Sequence, residues 1–248
     1  MPTPPDPSER AAPAPTSHLV LVVPAAGASR RLGECKALVD FGGQSALERL
    51  VRAASALVSN GATRGGAPVP RTATVVITGA HAAAIGREVE RLQRLGLGPL
   101  RTVHNPNWEA GRTGGLALAA RELSGRALCI APIDVPLVPA SVFAAIAAAW
   151  RAAEAPAMGW LAPALSTAAV GAGGVAVRPG HPIAIGARLA ARLLALDPST
   201  PLRELRALAN PLWTVNVDAP EILDDLDTPL DLARLRKRLR GAGETGPR

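Results

Sequence analysis

The run LVLVV at residues 19–23 feeds directly into PAAGASRRLGECK at 24–36, and this junction constrains the fold more than any other part of the chain. A continuous apolar run too short for a helix and closed by Pro24 reads as a strand buried on both faces, the kind found inside parallel sheets. A turn follows that holds Gly27, Ser29 and Gly33 among the cations Arg30, Arg31 and Lys36. Backbone N–H groups beside a glycine approach an anion closely, a guanidinium forks onto phosphate oxygens, and an ammonium supplies a point charge. Among 27 basic residues only Lys36 and Lys237 are lysine, so Lys36 marks a position where arginine does not serve. The segment reads as a grip on a nucleotide triphosphate. A solvent-exposed arginine-rich turn is the alternative. It is neither a Walker loop, since no Gly-Lys is followed by Ser or Thr, nor a GxGxxG fingerprint, since the middle glycine is missing.

The apolar pattern beyond this turn alternates. It predicts a helix at 45–58, a loop at 59–71, a strand at 73–78, a helix at 82–95, a strand at 100–103, a helix at 115–123 and a strand at 127–131. Strands alternating with helices imply a parallel sheet covered on both faces. After a further helix in SVFAAIAAAWRAA the rhythm changes. Residues 158–186 read as an antiparallel flap around RPGHP, followed by two short helical stretches, a strand at 213–217 and a terminal helix carrying Leu232, Leu235 and Leu239. The expected fold is therefore α/β, with a mostly parallel sheet and a small antiparallel insertion.

In open parallel sheets ligands bind beyond the carboxyl ends of the strands. Asp134, in CIAPIDVPLVP, falls there. A carboxylate facing a basic loop suits Mg²⁺, which takes one or two protein carboxylates plus phosphate oxygens and waters; Asp134 as a turn cap ahead of Pro136 is the competing reading. In DDLDTPLDL, Thr228, Pro229 and Asp231 explain a helix start. They do not explain Asp224, Asp225 and Asp227, which repel one another unless a cation or exposure relieves them. Asp227 is the expected second metal ligand, with exposed turn acids as the alternative.

The net charge of +7 is concentrated. Six basic residues lie between 234 and 248 against Glu244, leaving about +3 for residues 19–233. The basic end reads as the solvated face of a terminal helix, with 237–248 as a basic disordered tail, and nucleic acid is not the expected partner because no stacking aromatics accompany it. Residues 1–18 read as a Pro- and Ala-rich disordered leader without a signal-peptide core, no apolar run is long enough to span a membrane, and Cys35 and Cys129 fit no disulfide framework or metal knuckle. Together these features point to a cytoplasmic protein with reduced thiols.

With these groups assembled, the chain resembles the nucleotidyltransferase family that includes molybdenum-cofactor cytidylyltransferase and the molybdopterin guanylyltransferases. That family carries AAGxSxRxGxxK after its first strand, and Ala25, Ala26, Gly27, Ser29, Arg31, Gly33 and Lys36 match it. The resemblance continues at NPNWEAGRTGGL, IDVPLV, GHP (Gly180 to Pro182) and DLDTPLD, and spans residues 19–236. It implies a Rossmann-like three-layer sandwich of the nucleotide-diphospho-sugar transferase type. It also implies Mg²⁺-dependent transfer of a nucleoside monophosphate from an NTP to a phosphorylated small molecule, with release of pyrophosphate.

By the same resemblance Arg31 and Lys36 hold the triphosphate, Asp134 and Asp227 hold the metal, and Gly79 with the turn Gly111, Arg112, Thr113 and Gly114 holds base and ribose. His181 either contacts the acceptor or is a structural turn histidine, and Trp108 serves packing as readily as binding. The double alanine is similar to the cytidylyl and uridylyl branches, which implies CTP. Gly115 stands where relatives have Ser, Asp134-Val135-Pro136 where they have Asp-Gln-Pro, and LDPSTPLREL at 196–205 where the cofactor enzymes have a GDxGAR-like segment. These departures fall on the acceptor side and leave open a phosphosugar, a phosphorylated alcohol or molybdopterin. A nucleotide-binding module of the same fold without turnover is the rival reading.

Overall fold

The structure, a computed structural model, describes residues 18–57, 63–64, 67–68, 74–168 and 175–244. Residues 1–17 of the expected leader at 1–18, nearly all of the loop at 59–71 and the tip of the flap lie outside the described residues. The strands are β1 (Leu19–Pro24), β2 (Thr63–Arg64), β3 (Ala67–Pro68), β4 (Thr74–Thr78), β5 (Leu100–His104), β6 (Ala127–Ile130), β7 (Trp160–Ala168), β8 (Val175–Pro179), β9 (Ile183–Ile185) and β10 (Leu212–Asn216). The helices are α1 (Ala46–Ala54), α2 (Ala82–Arg94), α3 (Arg112–Glu122), α4 (Ala140–Ala152), α5 (Ala187–Ala191), α6 (Leu202–Arg206) and α7 (Pro229–Glu244).

Eight strands form one sheet in the order β10-β7-β9-β6-β1-β4-β5, with β8 pairing β7 from outside that path, while β2 and β3 pair only with each other. The pairs β1 with β4, β1 with β6, β4 with β5 and β7 with β10 are parallel; β8 and β9 run against their neighbours and form the antiparallel insertion. The chain runs outward from β1 through β4 to β5, then returns to place β6 on the other side of β1. That reversal leaves a crevice where the carboxyl ends of β1 and β6 diverge.

β1 is buried on both faces as its sequence requires. Leu19, Leu21 and Val23 enter a core shared with α1, α2, α4 and α7, while Val20 and Val22 enter the opposite core with α3 and α5. With few aromatics available, Trp150 of α4 and Trp213 of β10 are stacked at 5.5 Å between centroids, closing the first core beside the sheet edge. Cys129 is buried within β6, where desolvation pushes its thiol pKa far up, and Cys35 is unpaired on the other side of the turn that it ends.

Two boundaries differ from expectation. α3 begins at Arg112 rather than 115, so the GRTG stretch is the helix's first turn, because the segment following α5 packs against it. α7 continues to Glu244, so residues 237–244 are helical rather than a disordered tail. Leu239 packs against the first core, Arg234 and Arg238 both reach the buried Asp224, and Arg236 donates to the Asp40 carbonyl. Much of the basic end is thereby engaged within the fold. Among the described residues no helix is long and apolar enough to cross a membrane.

Helices α1 and α2 are clamped by an ionic cluster. Ser45 caps α1, its Oγ accepting from the Glu48 amide at 2.9 Å and donating to Glu88 at 2.5 Å. Arg91 bridges Glu48 and Glu88, and Arg52 also pairs with Glu48. Burial alone would raise the Glu48 carboxyl's pKa, but the two guanidiniums outweigh it and hold the group low; Glu88 is held low chiefly by Arg91. Depressed carboxyls stabilise the fold above the ordinary Glu value of about 4.3, and that contribution is lost as pH falls through their lowered values. Since both arginines are partly exposed, Glu48→Gln is expected to cost roughly 2 kcal/mol at pH 7. Urea midpoints at pH 7 and pH 3 check this: the variant loses less stability on acidification than the parent, and equal losses would contradict the clamp.

Candidate active site

The crevice at the ends of β1 and β6 is a cavity of about 330 Å³. Its wall contains Ala25, Ala26, Gly27, Ser29, Arg31 and Lys36 from the first turn, Asp134 from the segment after β6, and Asp227 from the loop before α7. Residues nearly 200 positions apart thus meet in one space.

The turn is shaped by Ser29, which takes a left-handed backbone at φ 53°. Its carbonyl accepts from the amides of Leu32 and Gly33, and its Oγ accepts from the Lys36 amide at 3.3 Å. Such a conformation at a non-glycine residue costs on the order of 1–3 kcal/mol and persists only where surrounding contacts enforce it. His81 Nε2 lies 3.1 Å from the Ala28 carbonyl and braces the turn from the start of α2. The folded turn brings Lys36 inward and leaves Arg31 at the rim.

The charges are self-neutralised. Lys36 Nζ donates to Asp227 at 2.6 Å, Arg31 donates to the same carboxylate at 2.8 Å, and Arg112 donates to Asp134 at 3.1 Å. The Lys36 side chain is 14% exposed against 72% for Arg31, so solvent screens the lysine far less. The hydrogen bond from Lys36, more than any other influence, holds the Asp227 carboxyl below the usual carboxylate range.

The crowded acids are distributed among separate partners. Asp224 pairs with Arg234 and Arg238, and Asp231 caps α7 by accepting from the amides of Asp227 and Thr228 while its own amide donates to Thr228 Oγ1. Asp227 faces the cavity, and Asp225 faces a second one. Burial raises the Asp225 carboxyl, and the negative charges of Asp134 and Asp227 add to that. Among the described residues no group of three or more His, Cys, Asp and Glu side chains is arranged to hold a metal by protein ligands alone. Two carboxylates on one wall, Asp134 and Asp227, do fit an ion that draws its other ligands from phosphates and water.

Several expected nucleotide contacts sit elsewhere. Gly33, at φ 84°, turns the chain outside the cavity wall, and Gly79 lies behind it, packed beneath Trp108 and the Ala26 carbonyl. Gly111 and Arg112 line the wall, but Thr113 is buried with its hydroxyl donating to the Thr200 carbonyl at 2.6 Å, and Gly114 packs on Pro198. Only glycine fits at 111, where φ is 142° and a Cβ would stand 2.3 Å from the Pro198 carbonyl oxygen. The divergent LDPSTPLREL segment is therefore the backing of this turn. Gly115 has a local cause as well: a Cβ there would stand 2.8 Å from Ile77 Cγ2, so any larger residue would force that neighbour to shift. His181 lines the second cavity, and its burial lowers the imidazole's pKa so that it is neutral at pH 7.

Sequence reasoning missed Asn105, which is buried at the end of β5, accepts from the Asn107 amide at 3.1 Å and lines the site. Its position at a strand's carboxyl end was the available signal. The pairing of Arg112 with Asp134 was likewise not legible, since nothing in sequence links the two.

A family model described as a MobA-like NTP transferase domain matches residues 21–215. No curated protein matches the chain. Among solved structures, a nucleotidyl transferase from Methanothermobacter thermautotroptrophicus is 21% identical with a TM-score of 0.66, covering 91% of this chain and 99% of that one. CMP:2-keto-3-deoxy-manno-octonic acid synthetase complexed with CTP is 14% identical with a TM-score of 0.66, covering 91% and 99%. Rv0371C of Mycobacterium tuberculosis, solved in complex with manganese, is 19% identical with a TM-score of 0.57, covering 89% and 98%. At these identities the structures establish a common fold.

Proposed function

The chain belongs to the MobA-like NTP transferase family and is a nucleotidyltransferase, and from that premise we propose that it transfers CMP from CTP to a phosphorylated small molecule with release of pyrophosphate, using Mg²⁺. The observation that carries the reading is the convergence of Lys36, Arg31, Asp134 and Asp227 on one cavity at the switch point of the sheet. Two relatives of the same fold were solved with CTP and with manganese, which is consistent with it.

The reaction needs no covalent enzyme intermediate. An oxygen of the acceptor's phosphate, anionic at neutral pH, attacks the α-phosphorus of the nucleotide; a new P–O bond forms, the bond to the β-bridging oxygen breaks, and pyrophosphate departs. The barrier is the approach of two anions and the build-up of charge on the leaving group. Lys36 and Arg31 exchange Asp227 for the β- and γ-phosphates and neutralise that charge. Asp134 and Asp227 would hold a magnesium ion, which would supply positive charge beside the reacting phosphates. Gly27 and the adjoining amides receive the polyphosphate, and Asn105 with Gly111 bounds the space for the nucleoside.

The test is a thermal-shift panel of CTP, UTP, GTP and ATP with Mg²⁺, followed by pyrophosphate release with candidate phosphate acceptors. A ligand at one hundred times its Kd stabilises by about 2.7 kcal/mol, roughly a 5–10 °C rise for a chain of this size. CTP is expected to give the largest shift. A larger shift with GTP would reassign the nucleotide, and no shift with any NTP would remove the reading.

A further inference from the structure

A second cavity, about 630 Å³, is lined by residues of β7, β9 and β10 and by the segment 222–225. Its floor is Trp160 and Ala162 of β7 with Ile183 of β9, apolar side chains of the second core. Arg178 at the end of β8 and Arg206 at the end of α6 stand on its walls. Among the described residues neither guanidinium has an ion-pair or hydrogen-bond partner, in contrast to Arg31, Arg112, Arg234 and Arg238. Among the described residues that line it, Asp225 alone is negative against Arg178 and Arg206, so the cavity is net cationic over an apolar base.

The segment Asp225–Leu226–Asp227 borders both cavities. Asp225 faces the larger space and Asp227 the smaller, and Leu226 between them donates its amide to the Asp134 carbonyl at 2.7 Å. On the larger side the His181 amide donates to the Ile222 carbonyl at 3.0 Å, fixing that histidine at the same boundary. The two cavities thus abut along the segment 225–227, with Asp225 on one side and Asp227 on the other.

The geometry points to an acceptor that carries, besides its reacting phosphate, a flat apolar body and a second anionic group held by Arg178 and Arg206. This rests on the transferase reading above. A guanidinium binds a carboxylate or phosphate with forked hydrogen bonds, and two arginines without ion-pair partners lining one cavity over an apolar floor select an anionic group against a neutral or cationic tail. A phosphocholine-like acceptor is thereby disfavoured.

The probes are 4-carboxyphenyl phosphate and phenyl phosphate, which share the body and the phosphate and differ by one carboxylate. Their binding to the intact protein, with CTP and Mg²⁺ present, is read from tryptophan fluorescence, since Trp160 lines the site. The carboxylated probe is expected to bind about tenfold more tightly, as one charge-assisted contact provides. R178A/R206A abolishes that preference, R178K/R206K keeps part of it, and CTP affinity is unchanged in both. Equal binding of the two probes, binding of neither, or a preference that survives R178A/R206A overturns the inference. A protein that fails to bind any nucleotide in the parallel titration instead overturns the transferase reading.

Discussion

Lys36→Ala lowers the rate of nucleotidyl transfer by about 10²–10³, with a smaller effect on the affinity for NTP. The lysine is the least exposed cation of the site and already carries a carboxylate at 2.6 Å, so it is poised to meet oxygen anions without reorganising. Its contact strengthens as charge moves onto the departing pyrophosphate, and an interaction that strengthens toward the transition state appears mainly in kcat. Arg31, largely exposed and screened, gives a weaker effect when truncated. Single-turnover rates of Lys36→Ala and Arg31→Ala at saturating NTP make the comparison. Turnover of Lys36→Ala within threefold of the parent would remove the lysine from the mechanism.

Asp227→Asn produces opposite changes in two quantities. The carboxylate now neutralises both Lys36 and Arg31, so replacing it by an isosteric amide raises the local charge by one and tightens binding of metal-free NTP several-fold. In the proposed role the same change also removes a metal ligand, and loss of a polarising ion, worth several kcal/mol, predicts a fall in Mg²⁺-dependent transfer of about 10³. Because the carboxyl lies below the usual range, it is an anion throughout neutral pH and the parent's activity there does not titrate on it. Titration of Mn²⁺ into the protein with NTP bound, followed by its paramagnetic signal, separates ligand loss from general damage. Weaker NTP binding in the absence of metal would contradict the charge exchange. Asp134→Asn differs in a telling way, since it releases Arg112 rather than Lys36 and leaves the phosphate grip paired.

Most of the framework was legible because its signals are local. LVLVV and ALCIA are short apolar runs that only a doubly covered strand satisfies, and the loops after them carry the charges that a strand's end presents to a ligand. That the first turn and Asp134 lie beyond strand ends, and Asp227 just before a helix, was readable from residue type and position; that all three line one cavity was not. The start of α3 was not, because Thr113 and Gly114 owe their helical state to Pro198 and Thr200, more than eighty residues away. The extent of α7 was hidden for the same reason: its basic residues look solvated until Asp224 and the Asp40 carbonyl are placed beside them.

Sequence by itself determined an α/β chain with a glycine- and cation-rich turn after its first strand and acidic groups at later strand and helix ends, since periodicity, glycine and charge act over a few residues. Only the tertiary structure decided which acids face which space. Asp224, Asp225, Asp227 and Asp231 are near neighbours in the chain and chemically alike, yet one anchors α7, one faces the larger cavity, one meets Lys36 and one caps a helix. That division follows from the partners each carboxylate finds across the fold. Coulombic and hydrogen-bond energies depend on distance in space, which chain order does not encode locally.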